Sequence, residues 1–406
     1  MFRDEVDMKS YTLKDACYIT TGKLDANQSI KNGIYPFFTC AEFPDAINTY
    51  AFDCDAVLVA GNNARGNFHV NRYKGKFNAY QRTYVLTSKE NFDIDFIFYS
   101  LKLELKRLKE KSQGSQTKFL TLPILQNIHF SSISINEQKT IAAVLSALDK
   151  KIALNKQINA RLEQMAKTLY DYWFVQFDFP DANGKPYKSS GGEIVFDETL
   201  KREIPKGWEV KSLGEVITHS TTGLNPRDNF SLGNGENFYV TIKNIKDNEI
   251  KFHTCAKITD EALNVINKRS KLDKGDILFT SIEPIGLTYL LHEKPKNWDI
   301  NESVFSIRSK SDFITPYFLF MLLSSDEIKS FTRQVSTGSV HKGIRHESLK
   351  RFTFAYSGID LIKNFTNLIS PMQQNIFFLQ KQNHHLTQLR DFLLPMLMNG
   401  QVSVAE

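Results

Sequence analysis

The chain carries two copies of a short basic stretch that is rich in small residues. The first copy spans residues 109–118 and contains Gly114-Ser115-Gln116, and the second spans residues 333–346 and contains Gly338-Ser339. Backbone amides of Gly and Ser can approach a phosphate closely, and Lys and Arg release counterions from a phosphate backbone. Gln and Arg can also read base edges in the major groove. The duplicated stretch therefore favours nucleic-acid binding at two similar surfaces.

We predict that the DNA-binding residues are polar members of the two stretches together with nearby polar and basic side chains. In the first half of the chain these are Asn62, Asn63, Arg65, Lys111, Ser115, Gln116 and Lys118. In the second half they are Arg227, Lys268, Arg269, Lys271, Arg333, Ser339, Lys342 and Arg345. For any one of them alone, the alternative is an ordinary solvated turn or surface charge. The duplication of the stretch favours binding.

Motifs for catalysis are missing from the sequence, with one weak exception. Methyl transfer to a base would need a glycine-rich cofactor turn and an Asn- or Asp-Pro-Pro-aromatic loop, yet the sequence has no Pro-Pro dipeptide. It also has no Walker phosphate-binding loop. Pro180-Asp181 followed by Glu209-Val210-Lys211 satisfies a loose nuclease metal-site pattern, which leaves a stand-alone nuclease as an alternative. We predict a non-catalytic chain with no metal and no cofactor of its own.

Length and composition describe a globular chain of more than one domain. The 406 residues are 41% hydrophobic and 24% charged, with a mild formal net charge of +6. At roughly 150 residues per domain, the chain has room for two or three domains. The longest apolar stretch, residues 313–323, falls short of the ~20 residues that a membrane span needs. Acidic residues replace the apolar run of a signal peptide near the N-terminus, so we expect a cytoplasmic location without membrane contact.

The two halves of the sequence resemble each other. Matching pairs at a spacing of 224 residues are Gly114 with Gly338, Asn159 with Asn383, and Leu162 with Leu386. Nearer the start, residues 12–15 resemble residues 212–215 at a spacing of 200, and Asp55 resembles Asp276 at a spacing of 221. The period is too long for a solenoid. It indicates a duplicated domain that is followed each time by a helix.

Each half contains a long pattern of apolar residues at helical spacing. The patterns run from residue 141 to 172 and from residue 365 to 393. The first has no Gly or Pro and allows a helix of about 40 residues, roughly 60 Å at 1.5 Å per residue. We predict that the two helices pair in antiparallel fashion, which would give the chain an approximate internal two-fold axis.

Several residues interrupt these helical patterns. Asn155, Asn159, Asn375 and Asn383 either fix the register of the helix pair, as polar seam residues can, or face solvent where the seam turns outward. Pro371 is preceded by Ser370 and favours the start of a fresh helix, so we expect the second long helix to be split there.

A series of motifs resembles the specificity subunits of type I restriction-modification systems, over nearly the whole chain. The motifs are residues 136–145 (Asn-Glu-Gln-Lys-Thr-Ile-Ala-Ala-Val-Leu), 183–192, 204–210 (Ile-Pro-Lys-Gly-Trp-Glu-Val), 213–216 and 274–278. Their order, together with the duplication, makes the combination specific. The chain departs from the family in two places. Its start lacks the Ile-Pro-x-Gly-Trp entry, and Asp360-Leu361 stands where a Glu-Gln pair precedes the second helix.

The resemblance implies an α+β chain with two mixed α/β target-recognition domains separated by a pair of long antiparallel helices. The expected domains are residues 1–133 and 207–356, the expected spacer helices are residues 134–178 and 357–400, and the expected linker is residues 179–206. Each domain would read one half of a split DNA site, while the helices would set the spacing between the halves.

The resemblance also implies the partners of the chain. They are double-stranded DNA and two modification subunits that dock on the helices, bind S-adenosylmethionine and methylate adenine. The sequence leaves open whether restriction subunits join the complex and which bases are read. The main rival interpretation is a coiled-coil scaffold whose domains bind proteins and not DNA.

Overall fold

The computed structural model describes residues 10–62, 68–111, 119–336 and 343–404, without the side chains of Glu110 and Lys111. The chain divides into two compact units. Unit 1 comprises Met1–Leu154 and Gln382–Glu406, and unit 2 comprises Asn155–Lys381. No helix in the described ranges has the length and apolar character needed to cross a membrane.

The helices vary from single turns to more than ten turns. In the described part of the chain the α-helices are α1 Leu13–Ala16, α2 Ile94–Lys111, α3 Leu122–Gln126, α4 Ile135–Tyr170, α5 Leu213–Val216, α6 Asp260–Ser270, α7 Pro316–Ser324, α8 Asp326–Val335, α9 His346–Lys350 and α10 Ile359–Met398. α4 is followed by a π-helical turn, and three short 3₁₀ turns occur elsewhere. The π-helical turn is Asp171–Val175, and the 3₁₀ turns are Ala26–Gln28, Ile242–Asn244 and Phe252–Thr254.

Most strands are short. The strands of unit 1 are β1 Ser10–Thr12, β2 Cys17–Thr21, β3 Tyr35–Phe38, β4 Asp45–Ile47, β5 Phe52–Ala60, β6 Val70–Ala79, β7 Thr83–Ser88 and β8 His129–Ser131. The strands of unit 2 are β9 Ile194–Asp197, β10 Arg202–Pro205, β11 Glu209–Ser212, β12 Ile217–Thr222, β13 Asn237–Val240, β14 Ile245–Lys246, β15 Glu249–Ile250, β16 Ala256–Ile258, β17 Ile277–Thr280, β18 Thr288–Leu290, β19 Trp298–Ile300, β20 Val304–Ser309 and β21 Thr353–Tyr356.

A six-stranded sheet forms the centre of unit 1. Its order is β2-β7-β5-β6-β3-β4, and the neighbours are antiparallel except for the parallel pair β3 and β6. Successive side chains of a strand point to opposite faces. Val57 and Val59 of β5 accordingly pack in the cluster that contains α2, while Leu58 packs with Phe38 and Phe77 on the other face. β5 is therefore a central strand that is buried on both sides.

Unit 2 places the corresponding strand in the same environment. Its four-stranded sheet has the order β12-β20-β17-β18, with all neighbours antiparallel. Ile277 and Phe279 of β17 pack in the cluster that contains α7, and Leu278 packs on the opposite face with Val240 and Ile300. The last two residues belong to a second sheet with the order β16-β13-β19, against which α6 packs.

The two units share a scaffold of four strands and a one-turn helix. In both, the strand order taken by chain position is first, fourth, second, third: β2-β7-β5-β6 and β12-β20-β17-β18. α1 and α5 precede the first strand. Each begins with a capping box, formed by Thr12 with Asp15 in α1 and by Ser212 with Glu215 in α5. These four residues lie in the two segments that match at a spacing of 200. The structure therefore confirms the sequence repeat.

The long helices pair within each unit through equivalent asparagines. In unit 2, Asn159 Nδ2 on α4 donates to the carbonyl oxygen of Ile376 on α10 at 3.5 Å. In unit 1, Asn383 Nδ2 on α10 donates to the carbonyl oxygen of Ile152 on α4 at 3.4 Å. Both the two asparagines and the two isoleucines are 224 residues apart. Each unit therefore contains the same contact between helices, with the roles of α4 and α10 exchanged.

Further contacts in each unit show the direction of the pairing. In unit 1, Arg390 Nη1 of α10 lies 2.7 Å from Asp149 Oδ1 of α4. In unit 2, the ring of Tyr170 on α4 lies 6.1 Å from that of Phe365 on α10. In each unit, later residues of α10 meet earlier residues of α4, so the helices are antiparallel. The predicted fold class, with two mixed α/β domains and paired long helices, is confirmed.

The expected break in the second long helix is wrong. α10 is one helix of 40 residues, and Pro371 lies in its interior. A proline removes one helical hydrogen bond and crowds the carbonyl four residues earlier, at a cost of ~3 kcal/mol. Phe365, Ile369 and Ile376 are buried on either side of it, and this apolar packing outweighs the local cost. Among the interrupting asparagines, Asn375 is exposed, as the solvent alternative expects.

Candidate nucleic-acid interface

In unit 1 the first basic stretch connects the end of α2 to a residue that pairs with the segment after β5. α2 ends at Lys111, and Phe119 forms an antiparallel bridge with Asn62, two residues beyond β5. The Leu120 backbone N–H donates to the carbonyl oxygen of Gly61 at 2.9 Å. The predicted binding residue Asn62 therefore lies beside the end of the basic stretch.

In unit 2 the second basic stretch connects equivalent points. α8 ends at Val335, and Gly343 forms an antiparallel bridge with Ile282, two residues beyond β17. The Ile344 backbone N–H donates to the carbonyl oxygen of Ser281 at 2.8 Å. Gly343 follows Phe119 by 224 residues, and β17 corresponds to β5 in the shared scaffold. The chain at the C-terminal end of each basic stretch is thus held at the same place relative to its own sheet.

Two exposed side chains extend the candidate surface of unit 1. The Arg82 guanidinium lies over the ring of Phe119, 6.0 Å from the ring centre, and 54% of Phe119 is exposed. The carbonyl oxygen of Arg82 accepts the Gly61 backbone N–H at 2.8 Å. An exposed cation beside Asn62 suits a phosphate contact. The sequence analysis missed Arg82 and Phe119, because the pairing that brings them to Asn62 is long-range.

In unit 2 the structure brings several predicted cations together near α6 and α9. Lys268 and Arg269 are exposed in the last turn of α6, and the exposed Lys271 caps that helix with φ of 50°. Arg345 is exposed at the N-cap of α9. Arg269 lies close enough to the neighbouring His346 for its positive charge to lower the pKa of that imidazole. Lys268, Arg269, Lys271 and Arg345 therefore form a cationic surface of unit 2, called here the α6–α9 surface.

His346 belongs to this region but carries no charge at neutral pH. Burial and, to a smaller extent, the positive charge of Lys350 lower the pKa of His346 to about 4. Its ring stacks on Phe305 with 3.7 Å between the ring centres, and Nδ1 is hydrogen-bonded to the hydroxyl of Ser220. The positive charge of the surface thus comes from its Lys and Arg side chains.

Arg308 forms an ion pair with a buried aspartate. Its Nε and Nη2 donate to the two carboxylate oxygens of Asp276 at 2.6 and 2.8 Å, and Nη2 also donates to the Lys271 carbonyl at 3.0 Å. The Asp276 side chain is 0% exposed. A buried carboxylate needs a partner of opposite charge, so Arg308 neutralises Asp276 and supports the C-terminal end of α6.

The remaining predicted residues fall into two groups. Arg227 is exposed in a turn after β12, and Arg333 is exposed in the last turn of α8. Lys111 ends α2, but its side chain is outside the description. The predicted residues that lie outside the described part of the chain are Asn63, Arg65, Ser115, Gln116, Lys118, Ser339 and Lys342. Their role in binding stays a prediction.

The residues of the loose nuclease pattern have structural partners. Asp181 Oδ1 accepts the backbone N–H groups of Asn183 and Lys185, both at 2.8 Å, and so closes a turn. Glu209 lies 3.0 Å from the ammonium group of Lys211 on the same strand. Within the described ranges, no group of three or more His, Cys, Asp or Glu side chains is placed to hold a metal ion.

These features define a class of protein. A duplicated α/β scaffold whose described residues flank a basic stretch at the same point of each sheet, together with paired long helices, is the architecture expected of a DNA-recognition protein with two similar domains. The family model described as the type I restriction modification DNA specificity domain matches the chain twice, at residues 5–164 and 205–356. These matches cover well over half of the chain, which belongs to this family and is a specificity subunit of a type I restriction-modification system.

Individual relatives support this assignment. The specificity subunit of the type I restriction enzyme EcoDI from Escherichia coli is 28% identical over 363 residues, which cover 85% of this chain and 76% of the relative. The MjaIX specificity subunit from Methanocaldococcus jannaschii is 24% identical over 339 residues, which cover 78% of this chain and 71% of the relative. These relatives confirm the resemblance seen in the sequence motifs.

One solved structure supports the fold. The crystal structure of a type I restriction-modification S subunit from M. genitalium matches with a TM-score of 0.65 at 15% identity. The match covers 98% of this chain and 97% of that one. The shared fold spans both units and both long helices.

Proposed function

We propose that the chain reads a split DNA site, with unit 1 contacting one half of the site and unit 2 the other. The observation that carries this proposal is the equivalent placement of the basic stretches at Phe119 and Gly343. Two linked DNA-binding units suit a site with two halves, because each unit needs only a modest affinity for its own half-site when both bind together. The recognition domains are proposed as residues 1–133 and 207–356. Since the ligand is DNA, the proposal also places the chain in the cytoplasm.

We propose that the long helices, residues 134–178 and 357–400 with the linker at residues 179–206, set the spacing between the half-sites. α4 begins in unit 1 and ends in unit 2, and α10 runs from unit 2 into unit 1. An α-helix gains about 1.5 Å per residue. The length of the helix pair therefore acts as a molecular ruler.

We propose that the same helices dock two modification subunits. Large apolar side chains are exposed on them at equivalent positions, Leu154 with Phe378 and Met165 with Leu389, each pair 224 residues apart. Exposed apolar groups of this kind mark sites of protein association. Since each apolar position occurs twice, the helices suit two copies of one partner. Restriction subunits would join through this core complex where the system contains them.

The chain itself recognises DNA and leaves the chemistry to its partners. The modification subunits bind S-adenosylmethionine and methylate adenine in this proposal, while the specificity subunit selects the site. The structural partners of Asp181 and Glu209 support this division of roles. If this chain alone cut DNA in the presence of magnesium, and Glu209→Ala abolished the cutting, the division would be wrong.

The first test is co-expression of the chain with its modification subunit, followed by genome-wide mapping of methylated adenines. We expect a single split motif with two defined halves and a spacer of constant length. A continuous motif, or no methylation in a complex that assembles, would contradict the proposal. A protein-interaction scaffold would give a complex without a motif.

The second test concerns the spacing. Seven residues inserted after Asn155 in α4 and seven inserted after Leu379 in α10 lengthen both helices at equivalent positions. Two turns of helix add about 10 Å with little change of phase, which corresponds to about three base pairs at 3.4 Å each. We expect the same half-sites with a spacer longer by about three base pairs. An unchanged spacer would exclude the ruler.

The third test measures the role of the α6–α9 surface. Each phosphate contact contributes about 0.9 to the slope of log binding constant against log salt concentration. We expect Arg269→Ala combined with Arg345→Ala to weaken binding by the assembled complex and to reduce this slope by up to about two. Lys206→Ala, an exposed cation of the same unit that pairs with Glu193, is the matched control and should leave the slope unchanged.

A further inference from the structure

Unit 1 contains a groove in which an exposed aromatic ring faces several cations. Phe43 lies in the turn between β3 and β4 and is 74% exposed. It lines a groove of about 470 Å³ together with His69, Lys102, Lys106 and Lys109. Lys106 and Lys109 are exposed on α2, and Glu42 is the one acid among the residues that line the groove. The groove therefore combines an apolar ring with net positive charge.

Hydrogen bonds place this groove beside the end of the first basic stretch. The Ala60 backbone N–H donates to the carbonyl oxygen of His69 at 3.0 Å, one residue before Gly61. The turn that carries Phe43 is also tied to this region, because Cys40 Sγ lies 3.7 Å from the carbonyl oxygen of Arg82. The same Arg82 covers the exposed ring of Phe119. The turn that carries Phe43 and the ring of Phe119 are thus both in contact with Arg82.

The surroundings of the two rings indicate what they contact. A single exposed aromatic side chain is common on protein surfaces, but here two of them lie among the cations Arg82, Lys106 and Lys109. A protein partner that buried the rings would also bury these charges. A DNA partner suits both, because its phosphates neutralise the cations while thymine methyl groups at the base edges in the major groove offer apolar contacts to the rings.

We propose that Phe43 and Phe119 contact bases in the half-site that unit 1 reads. The inference rests on the proposed function, since it assigns an apolar base contact to a surface already proposed to bind DNA. The cations hold the phosphate backbone, which carries no sequence information by itself. The rings then supply part of the sequence preference of this half-site.

Unit 2 has no ring at the equivalent bridge position. The residue of unit 2 that corresponds to Phe119 is Gly343, and the counterpart of the β3–β4 hairpin, β13–β16, carries β14 and β15 between its strands where unit 1 has the turn with Phe43. The two half-sites should therefore respond differently to removal of an aromatic side chain.

The experiment uses the complex with its modification subunits and a DNA library in which both halves of the methylated motif are randomised. We expect Phe43→Ala and Phe119→Ala each to weaken binding to the best site by about tenfold, because each variant loses the apolar contact of its ring with a base edge. Both variants should relax the preference in the same half-site and leave the other half unchanged. The salt dependence should stay that of the wild type, because neither ring pairs with a phosphate.

Three controls separate a base contact from other effects. Ile34→Ala removes an equally exposed side chain, 74%, at the opposite end of β3 and should bind like the wild type. Phe43→Tyr keeps the ring and should retain binding within about twofold. Lys106→Ala should instead lower the salt slope by ~0.9 with the sequence preference intact.

The outcomes distinguish this inference from the proposed function. If the wild-type complex shows no split motif and no salt-dependent binding, the proposed function fails. If the wild-type complex binds normally while both Phe variants keep the full preference in both half-sites, the inference fails alone. Relaxation in both half-sites, or in a different one for each variant, would also overturn it.

Discussion

Units 1 and 2 share their central strands but differ in what surrounds them. β5 and β17 are buried on both faces, and both end two residues before the bridge that holds the basic stretch. Beside β5, unit 1 joins β3 and β4 by the turn that carries Phe43. Unit 2 joins the equivalent strands β13 and β16 through β14 and β15, and adds α6 with its cations.

This difference separates the elements that hold the basic stretch in place from the elements that give each unit its own DNA preference. The shared parts hold a stretch of chain at a defined point, so their packing is constrained in the same way twice. The parts that differ are inserted between strands that both units share, as the turn with Phe43 in unit 1 and as β14, β15 and α6 in unit 2. A duplicated chain can therefore keep one framework and acquire two different DNA preferences.

The largest expected effect comes from a glycine that both units need. A Cβ on Gly223 would lie 1.6 Å from the carbonyl oxygen of Ile300, and one on Gly22 would lie 1.9 Å from that of Ala79. Backbone on both sides must then move, so we expect Gly223→Ala and Gly22→Ala each to destabilise their own unit by roughly 3 kcal/mol or more. Denaturant unfolding of the chain measures this.

Gly214→Ala provides the control for these substitutions. A Cβ there meets Lys350 at 3.4 Å, which is an ordinary contact, and the position lies in α5. Alanine favours a helix over glycine by roughly 0.5–1 kcal/mol, so stability should be equal or slightly higher. A Gly223→Ala chain as stable as the Gly214→Ala chain would show that the shared scaffold tolerates movement at this strand end.

The second prediction uses the aspartates that the repeat aligns. Asp276 is fully buried with Arg308, whereas the Asp55 side chain is 39% exposed beside Arg72. Removing one member of a buried pair costs about 3–5 kcal/mol, against about 1 kcal/mol or less for an exposed pair. Asp276→Asn should therefore destabilise the chain by roughly 3 kcal/mol and Asp55→Asn by much less. Equal losses in unfolding experiments would contradict this contrast.

The third prediction concerns pH and a group that only unit 2 contains. Burial raises the pKa of the Asp299 carboxyl to about 6 from 3.8, although the Ser270 hydroxyl, 2.7 Å away, opposes the shift. The folded chain then holds this proton more tightly than the unfolded chain. The free energy of unfolding therefore loses a contribution as pH rises from about 4 to about 6.

Asp299→Asn tests that sign. The variant should gain stability relative to the wild type between pH 4 and pH 6, and the difference should be constant above that range. The comparison with the variant is needed because His292 and His346, whose pKa values burial lowers to about 4, change stability in the opposite direction as pH rises. A difference that does not depend on pH would contradict the buried, protonated state.

The smallest expected effect is at the helix seam. The hydrogen bonds of Asn159 and Asn383 are long, at 3.5 and 3.4 Å, and leucine could replace the lost contact by apolar packing. We expect Asn159→Leu and Asn383→Leu to change stability by about 1 kcal/mol or less, and by the same amount. The double variant should bind sites whose spacer is one base pair too long or short better than the wild type does. A large loss from only one substitution would show that the two seams are not equivalent.

Much of the framework could be predicted because its evidence is local or repeated. The apolar spacing in α4 and α10, the matched segments at residues 12–15 and 212–215, and the paired asparagines all appear in the sequence. The effect of Pro371 could not be predicted in this way. The low helix propensity of proline favours a break there, but the packing of Phe365, Ile369 and Ile376 stabilises a continuous helix.

In the candidate surface, too, only the features with local or repeated sequence evidence could be predicted. The sequence by itself determined that two basic stretches follow equivalent elements and that two long amphipathic helices pair, because periodicity and duplication are properties of the chain order. Only the tertiary structure decided that Phe119 meets Asn62, that Phe43 lies near His69, and that Arg308 neutralises Asp276 and so has no free charge for DNA. Those contacts join residues far apart in the chain through strand pairing and burial, which no local pattern records.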